Sequence, residues 1–198
     1  GRMSQAMSEA PMYDPDVMMA IGQLHGACHR GSSADVKRLL EEGEDINEKS
    51  NSGLTPLMCA VKTIGPKPGD DQLVQLLLDN NAEVNAVDVL GDSALHAAVA
   101  QVESLNELLP KGFDKIVDML IKGNADINLV DKLGQTPLHR AALRGNAKSI
   151  KLLMDAGADT EIVDRSGRTP RDCAFHESLL PLLERPSEPA EDEEGEGA

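Results

Sequence analysis

The tetrapeptide Thr136-Pro137-Leu138-His139 constrains this chain more than any other feature, because versions of it recur along most of its length. A Thr-Pro pair suits a helix start. The hydroxyl caps free backbone N–H groups, and proline fits the first helical position, where no donor is needed. The pattern returns as Thr169-Pro170-Arg171-Asp172, 33 residues downstream. Upstream it appears as Ser93-Ala94-Leu95-His96, 43 residues earlier, and as Thr55-Pro56-Leu57-Met58, 38 before that. A degraded copy, Gly22-Gln23-Leu24-His25, precedes Thr55 by 33. Apolar helix ends keep the same beat, closing at Gly43-Glu44-Asp45-Ile46-Asn47, Asn81-Ala82-Glu83-Val84-Asn85, Asn124-Ala125-Asp126-Ile127-Asn128 and Gly157-Ala158-Asp159. Five units in register run over residues 14–185.

The Thr-Pro-Leu-His opening, the Gly-Ala-Asp close and the 33-residue step resemble the ankyrin repeat. That resemblance implies an α fold, a solenoid of stacked helix-turn-helix units with β-hairpin-like finger loops. The units are expected at 14–49, 50–87, 88–130, 131–163 and 164–185. The first lacks Thr-Pro and the last is short, as terminal caps with one wet face should be.

Two units are longer than the norm. The second carries Thr63-Ile64-Gly65-Pro66-Lys67-Pro68-Gly69-Asp70 between its helices, and its prolines and glycines make this a loop before a helix from Gln72 to Leu78. In the third, Leu95, Val99, Val102, Leu105 and Leu109 keep helical spacing until Pro110-Lys111-Gly112. The expectation is a first helix about two turns longer than usual, then a second from Phe113 to Lys122. Both insertions fall at the turn opposite the fingers. In the fifth unit Pro181 fits only a first helical turn, which places the last helix start near Ser178.

Composition closes off several functions. The net charge of −15 disfavours nucleic acid and anionic membrane as partners. One Tyr, two Phe and no Trp leave little surface for stacking bases. No apolar run approaches a membrane span, and no signal peptide opens the chain. Gly1-Arg2 ahead of Met3 reads as an expression remnant. The three cysteines have no paired spacing, which points to a reducing cytoplasmic or nuclear setting. Residues 1–13 lack periodicity, and 186–198 hold six acids, no base and nothing apolar to bury. Both are expected to be disordered.

No catalytic site is expected. His25, His96 and His139 share one repeat position, on different helices, which is not a local metal-ligand spacing. The resemblance gives them a structural role, packing at the first helix and tying down neighbouring backbone. Cys28, Cys59 and Cys173 read as small buried residues without a base–orienter pair. The carboxylates are scattered and the glycines punctuate turns, so neither an acid–base pair nor a phosphate loop is present. The expectation is no enzyme, no cofactor and no metal. Asn47, Asn85 and Asn128 end the helix-closing segments as loop braces. The resemblance makes Asn85 and Asn128 candidate hydroxylation sites.

In the ankyrin fold, hairpin tips and the exposed side of the first helices line a concave face that binds protein. Carried onto this sequence, the partner-binding positions are Leu54, Val89, Leu90, Asp92, Gln101, Lys132, Leu133, Gln135, Leu143, Arg144, Arg165 and Arg168. Leu90 and Leu133 share a tip position without a packing role, which suits a binding hot spot. Charge divides along the array. From Asp70 to Asp131 twelve acids face three lysines, whereas from Lys132 to Arg171 eight bases face four acids. A basic patch of Lys132, Arg144, Arg165 and Arg168, with Arg140 and Arg171 nearby, suggests an acidic ligand. The leading expectation is a monomeric, non-enzymatic interaction module of adaptor or inhibitor type. The alternative is an acidic chaperone-like shield for a basic client, such as a ribosomal or nucleic-acid-binding protein.

Overall fold

The computed structural model describes residues 22–63, 70–100 and 113–184. The segment 1–13, the stretch 17–21, most of the second unit's insertion, the expected extension of the third unit's first helix with Gln101, and the tail 186–198 lie outside those residues.

The described chain is a succession of helix pairs: α1 (Gln23–His29) with α2 (Ser33–Glu41), α3 (Pro56–Thr63) with α4 (Asp70–Asp79), α5 (Ala94–Ala100) with α6 (Phe113–Lys122), and α7 (Pro137–Arg144) with α8 (Ala147–Asp155). A 3-10 helix, Glu177–Leu183, closes the array against α8. The first helices α1, α3, α5 and α7 pack in series as one layer, and α2, α4, α6 and α8 form a second. Contacts are more extensive in the first layer. The sequence explains this: Gly26-Ala27-Cys28, Cys59-Ala60, Ala97-Ala98 and Ala141-Ala142 put small side chains where those helices meet.

The core between the layers is aliphatic. Leu24, Leu57, Leu73, Leu77, Leu95, Leu120, Leu138 and Leu153 are fully buried, one or two on every α-helix but α2, where Val36 takes that place. Each contributes about 2 kcal/mol by leaving water. Phe113 is buried at the start of α6, an aromatic at the edge of this core.

Helix termini follow the repeat. Thr136 caps α7, accepting from His139 N–H, while His139 Nδ1 accepts Thr136 N–H at 3.2 Å. Ser93 and His96 repeat that exchange on α5. Second helices end in a shared left-handed residue, Gly43, Asn81, Asn124 or Gly157. There the following N–H reaches back to the core leucine, as in Ala82 to Leu77 and Ala125 to Leu120, both at 3.0 Å.

The fifth unit departs from expectation. Thr169 and Asp172 still exchange capping bonds, yet residues 170–173 form turns and not an α-helix. Phe175 N–H leaves the helical path to bond Ala142 O at 3.1 Å. The closing element is 3-10, with Pro181 at its fifth position. The expectation that Pro181 sits in a first α-turn is thus corrected. In a 3-10 run this short proline forgoes a single i−3 bond, while Leu179 and Leu183 stay buried.

Candidate protein-binding face

Three histidines build the floor of this face. His25 Nε2 contacts Leu54 O at 2.8 Å, His96 Nε2 contacts Gln135 O at 3.0 Å, and His139 Nε2 contacts Arg168 O at 3.0 Å. In His96 and His139, Nδ1 accepts a backbone N–H, so the proton must lie on Nε2 and is donated to the carbonyl. The first helices α1, α5 and α7 thereby grip the base of the following finger, whereas α3 carries Met58 at that position. Burial pushes the His96 pKa down, and Arg140 adds to that, so the ring stays neutral.

The fingers are tight turns spanning Ser50–Leu54, Asp88–Asp92, Asp131–Gln135 and Asp164–Arg168, each closed by an N–H to carbonyl bond of 2.8–3.0 Å. An aspartate opens three of them. Asp88 Oδ1 accepts from Leu90 and Asp92 N–H, Asp131 Oδ1 from Leu133 and Gln135, and Asp164 Oδ1 from Ser166 and Arg168. Ser50 does the same more weakly through Leu54. The second carboxylate oxygen takes a cation: Lys62 for Asp88, Arg140 for Asp131, Arg168 for Asp164. Burial alone would raise the Asp131 pKa, but Arg140 and the Gln135 and Leu133 amides outweigh it and hold it below the usual range. Arg168 and two amides hold Asp164 at about 2. These turns stay ionised and closed at neutral pH.

Fingers are bonded to one another. Val89 N–H donates to Ser52 O, Lys132 N–H to Leu90 O, and Arg165 N–H to Leu133 O, at 2.9–3.0 Å. Gly91 and Gly134 sit at φ near 80° and 75°, where the next finger's backbone comes so close that an added Cβ would lie 2.9 Å from Lys132 N or Arg165 N.

On this scaffold the expected binding residues separate into three groups. Leu90 and Leu133 are each 60% exposed, Val89 52% and Leu143 44%. Lys132, Arg144 and Arg165 are exposed, with no carboxylate partner among the described residues. Other expected positions are not open. Asp92 is only 6% exposed and is held by both terminal nitrogens of Arg140, and Gln135 is 7% exposed with its backbone in the finger closure and the His96 bond. Both are finger-base residues whose side chains turn inward, and they are withdrawn from the face. Leu54 is half-buried and packs on the core. Arg140 is pinned between Asp92 and Asp131, Arg168 pairs with Asp164, and Arg171 pairs with Glu184. The basic patch shrinks to Lys132, Arg144 and Arg165.

Sequence reasoning missed four exposed apolar residues. Val87, Val130 and Val163 each precede a finger aspartate, and that recurrence was visible in the repeat. Phe175, 67% exposed, stands edge-on to His176. Nothing in the sequence marked it, because its exposure follows from the unformed helix of the fifth unit.

Asn47, Asn85 and Asn128 link units at the opposite end of the helices. Their Oδ1 atoms accept the N–H of Glu83, Asp126 and Asp159 in the following unit, at 2.7–2.9 Å. The thiols are buried; burial pushes Cys28 up to about 12 and Cys59 up to about 11, and also raises Cys173. Among the described residues no His, Cys, Asp and Glu group is arranged to hold a metal, and no helix is long and apolar enough to cross a membrane.

A family model of ankyrin repeats matches residues 24–116 and 111–186. The chain is similar to neurogenic locus notch homolog protein 1 of human and of mouse, 32% identical in each case. Each match covers 45% of this chain and 5% of the relative. It is also 44% identical to a putative ankyrin repeat protein of fowlpox virus, over 29% of this chain and 20% of that protein. The chain thus spans only a small part of these relatives. Ankyrin repeats are generally protein–protein interaction modules, and with its histidine grips, bonded fingers and two helix layers this chain belongs to the ankyrin-repeat family.

Proposed function

We propose that this chain is a monomeric, non-enzymatic adaptor or inhibitor that binds one protein through the finger tips and first-helix surface of its middle units. The supporting observation is the position of the exposed apolar side chains. Val89, Leu90 and Leu133 stand on finger tips and Leu143 on α7, where they contribute nothing to the core. Apolar side chains of this size, left in water at equivalent repeat positions, favour a surface that is covered in use. A photo-crosslinking residue at Leu133 should capture the partner, and one at Lys37 on the exposed side of α2 should not. Equal capture at both would contradict the proposal. Asn85 and Asn128, both exposed, are the candidate modification sites of this module, and a mass shift of one oxygen on either peptide is the check.

A second reading is favoured by the acidic side of the molecule. Asp79, Glu83 and Asp126 are exposed near the ends of the second helices, with no cation in ion-pair range among the described residues, and suit a chaperone-like shield for a basic client. Deleting residues 186–198 separates the two readings by sign. It should strengthen binding of an acidic partner at low salt, and weaken binding of a basic client.

A further inference from the structure

The finger tips form one continuous ridge, because the backbone bonds from Val89 to Ser52, Lys132 to Leu90 and Arg165 to Leu133 join each tip to the last. Its character changes along its length. Val89 and Leu90 make the third unit's tip apolar, Lys132 and Leu133 make the fourth mixed, and Arg165 makes the fifth cationic.

The cations of this half of the molecule are sorted. Arg140, Lys148, Arg168 and Arg171 each lie within 4.0 Å of a carboxylate. Lys132 and Arg165, at the same position in adjacent fingers, have none among the described residues. On a chain of net charge −15, two uncompensated cations beside exposed leucines complement an external anion.

Spacing defines the ligand further. Packed helices lie 8–10 Å apart, so successive fingers recur at about 10 Å. An extended chain in the polyproline-II form advances about 3.1 Å per residue with three residues per turn, so one face of it meets a new finger every third residue. The ridge offers one or two apolar side chains per finger, Val89 with Leu90 and then Leu133, whereas a docking helix needs a groove that takes several per turn.

We propose that this ridge receives an extended segment of the partner, with apolar side chains three residues apart followed by carboxylates. The apolar part lies over Val89, Leu90 and Leu133, and the carboxylates meet Lys132 and Arg165. This rests on the reading of the finger face as the partner-binding surface.

Panning a random peptide display library against the full chain tests the proposal. Enriched peptides should carry an apolar-x-x-apolar step next to acidic residues. Those peptides should bind the Lys132→Glu, Arg165→Glu double variant roughly tenfold more weakly at low salt, with the difference closing as salt rises. The Leu90→Ser, Leu133→Ser double variant should lose them. Both pairs are exposed, so circular dichroism should show an unchanged fold. An empty library, winners without acids, or apolar residues about seven apart, as a helix of 1.5 Å rise would place them, overturns the extended acidic segment. The face reading survives that failure if the Leu90→Ser, Leu133→Ser variant still loses the crosslinked partner. Peptides and crosslinked partner binding all variants equally overturn both.

Discussion

Two glycines in equivalent fingers separate backbone strain from packing at the residue scale. Gly91 and Gly167 share a left-handed φ, but only Gly91 has the next finger against it; Gly167 has nothing within 4 Å. Gly167→Ala should cost about 1 kcal/mol, the left-handed penalty alone. Gly91→Ala should cost about 3 kcal/mol, because the next finger's backbone must also move. Urea midpoints of the two variants check the difference, and equal costs would remove the close-approach explanation. His96 gives a pH dependence. Its native pKa lies below the usual 6.5, so its contribution to stability is complete above that value. As pH falls below about 6.5 the unfolded chain takes up the proton first and stability declines. His96→Gln should lower stability at pH 7 yet flatten its fall toward roughly pH 5. An unchanged slope would show that the ring is not the group titrating. The structural role of these histidines was legible through the resemblance to the ankyrin repeat, with which their recurrence at one repeat position agrees. The inward turn of Asp92 and Gln135 was not: each lies two residues after an exposed tip leucine, and only the finger geometry distinguishes tip from base.

At the scale of elements, Arg140 on α7 ties the third and fourth fingers together by bridging Asp92 and Asp131. Removing it leaves two buried carboxylates uncompensated. Arg140→Met should therefore destabilise the array by about 3 kcal/mol, measured by urea unfolding. A loss within that of an ordinary surface substitution would contradict the bridge. The first helices also bury their thiols, so Cys28 and Cys59 should resist alkylation in the folded protein and react at the unfolding midpoint. Labelling under native conditions would show local opening of the first unit if Cys28 reacts and of the second if Cys59 reacts. Helix α6 falls on the expected Phe113–Lys122, and α4 exceeds the expected Gln72–Leu78 by a residue or more at each end. The second was legible from its apolar run after the insertion, Leu73 to Leu78, and the first from the Pro110-Lys111-Gly112 break that precedes it. The fifth unit was not, because its Thr-Pro signal is intact and its capping bonds form. What diverts the chain is a tertiary bond from Phe175 to α7, which local sequence does not encode.

Across the whole molecule, the repeated motif is scaffold and its flanking residues form the outward face. Thr136, Pro137, Leu138 and His139 are all buried, whereas Lys132 and Leu133 before them and Leu143 and Arg144 after them are exposed. Leu90 and Leu133 were legible as surface because they are apolar at a position the repeat does not pack. The extent of the basic patch was not, since sequence counts charges without showing which are neutralised within the fold. The most direct measurement is calorimetric affinity of the crosslinked partner for the chain and for its Leu90→Ser, Leu133→Ser variant. The binding face described here predicts at least a tenfold loss of affinity with an unchanged melting temperature. Equal affinity for the two proteins would contradict it.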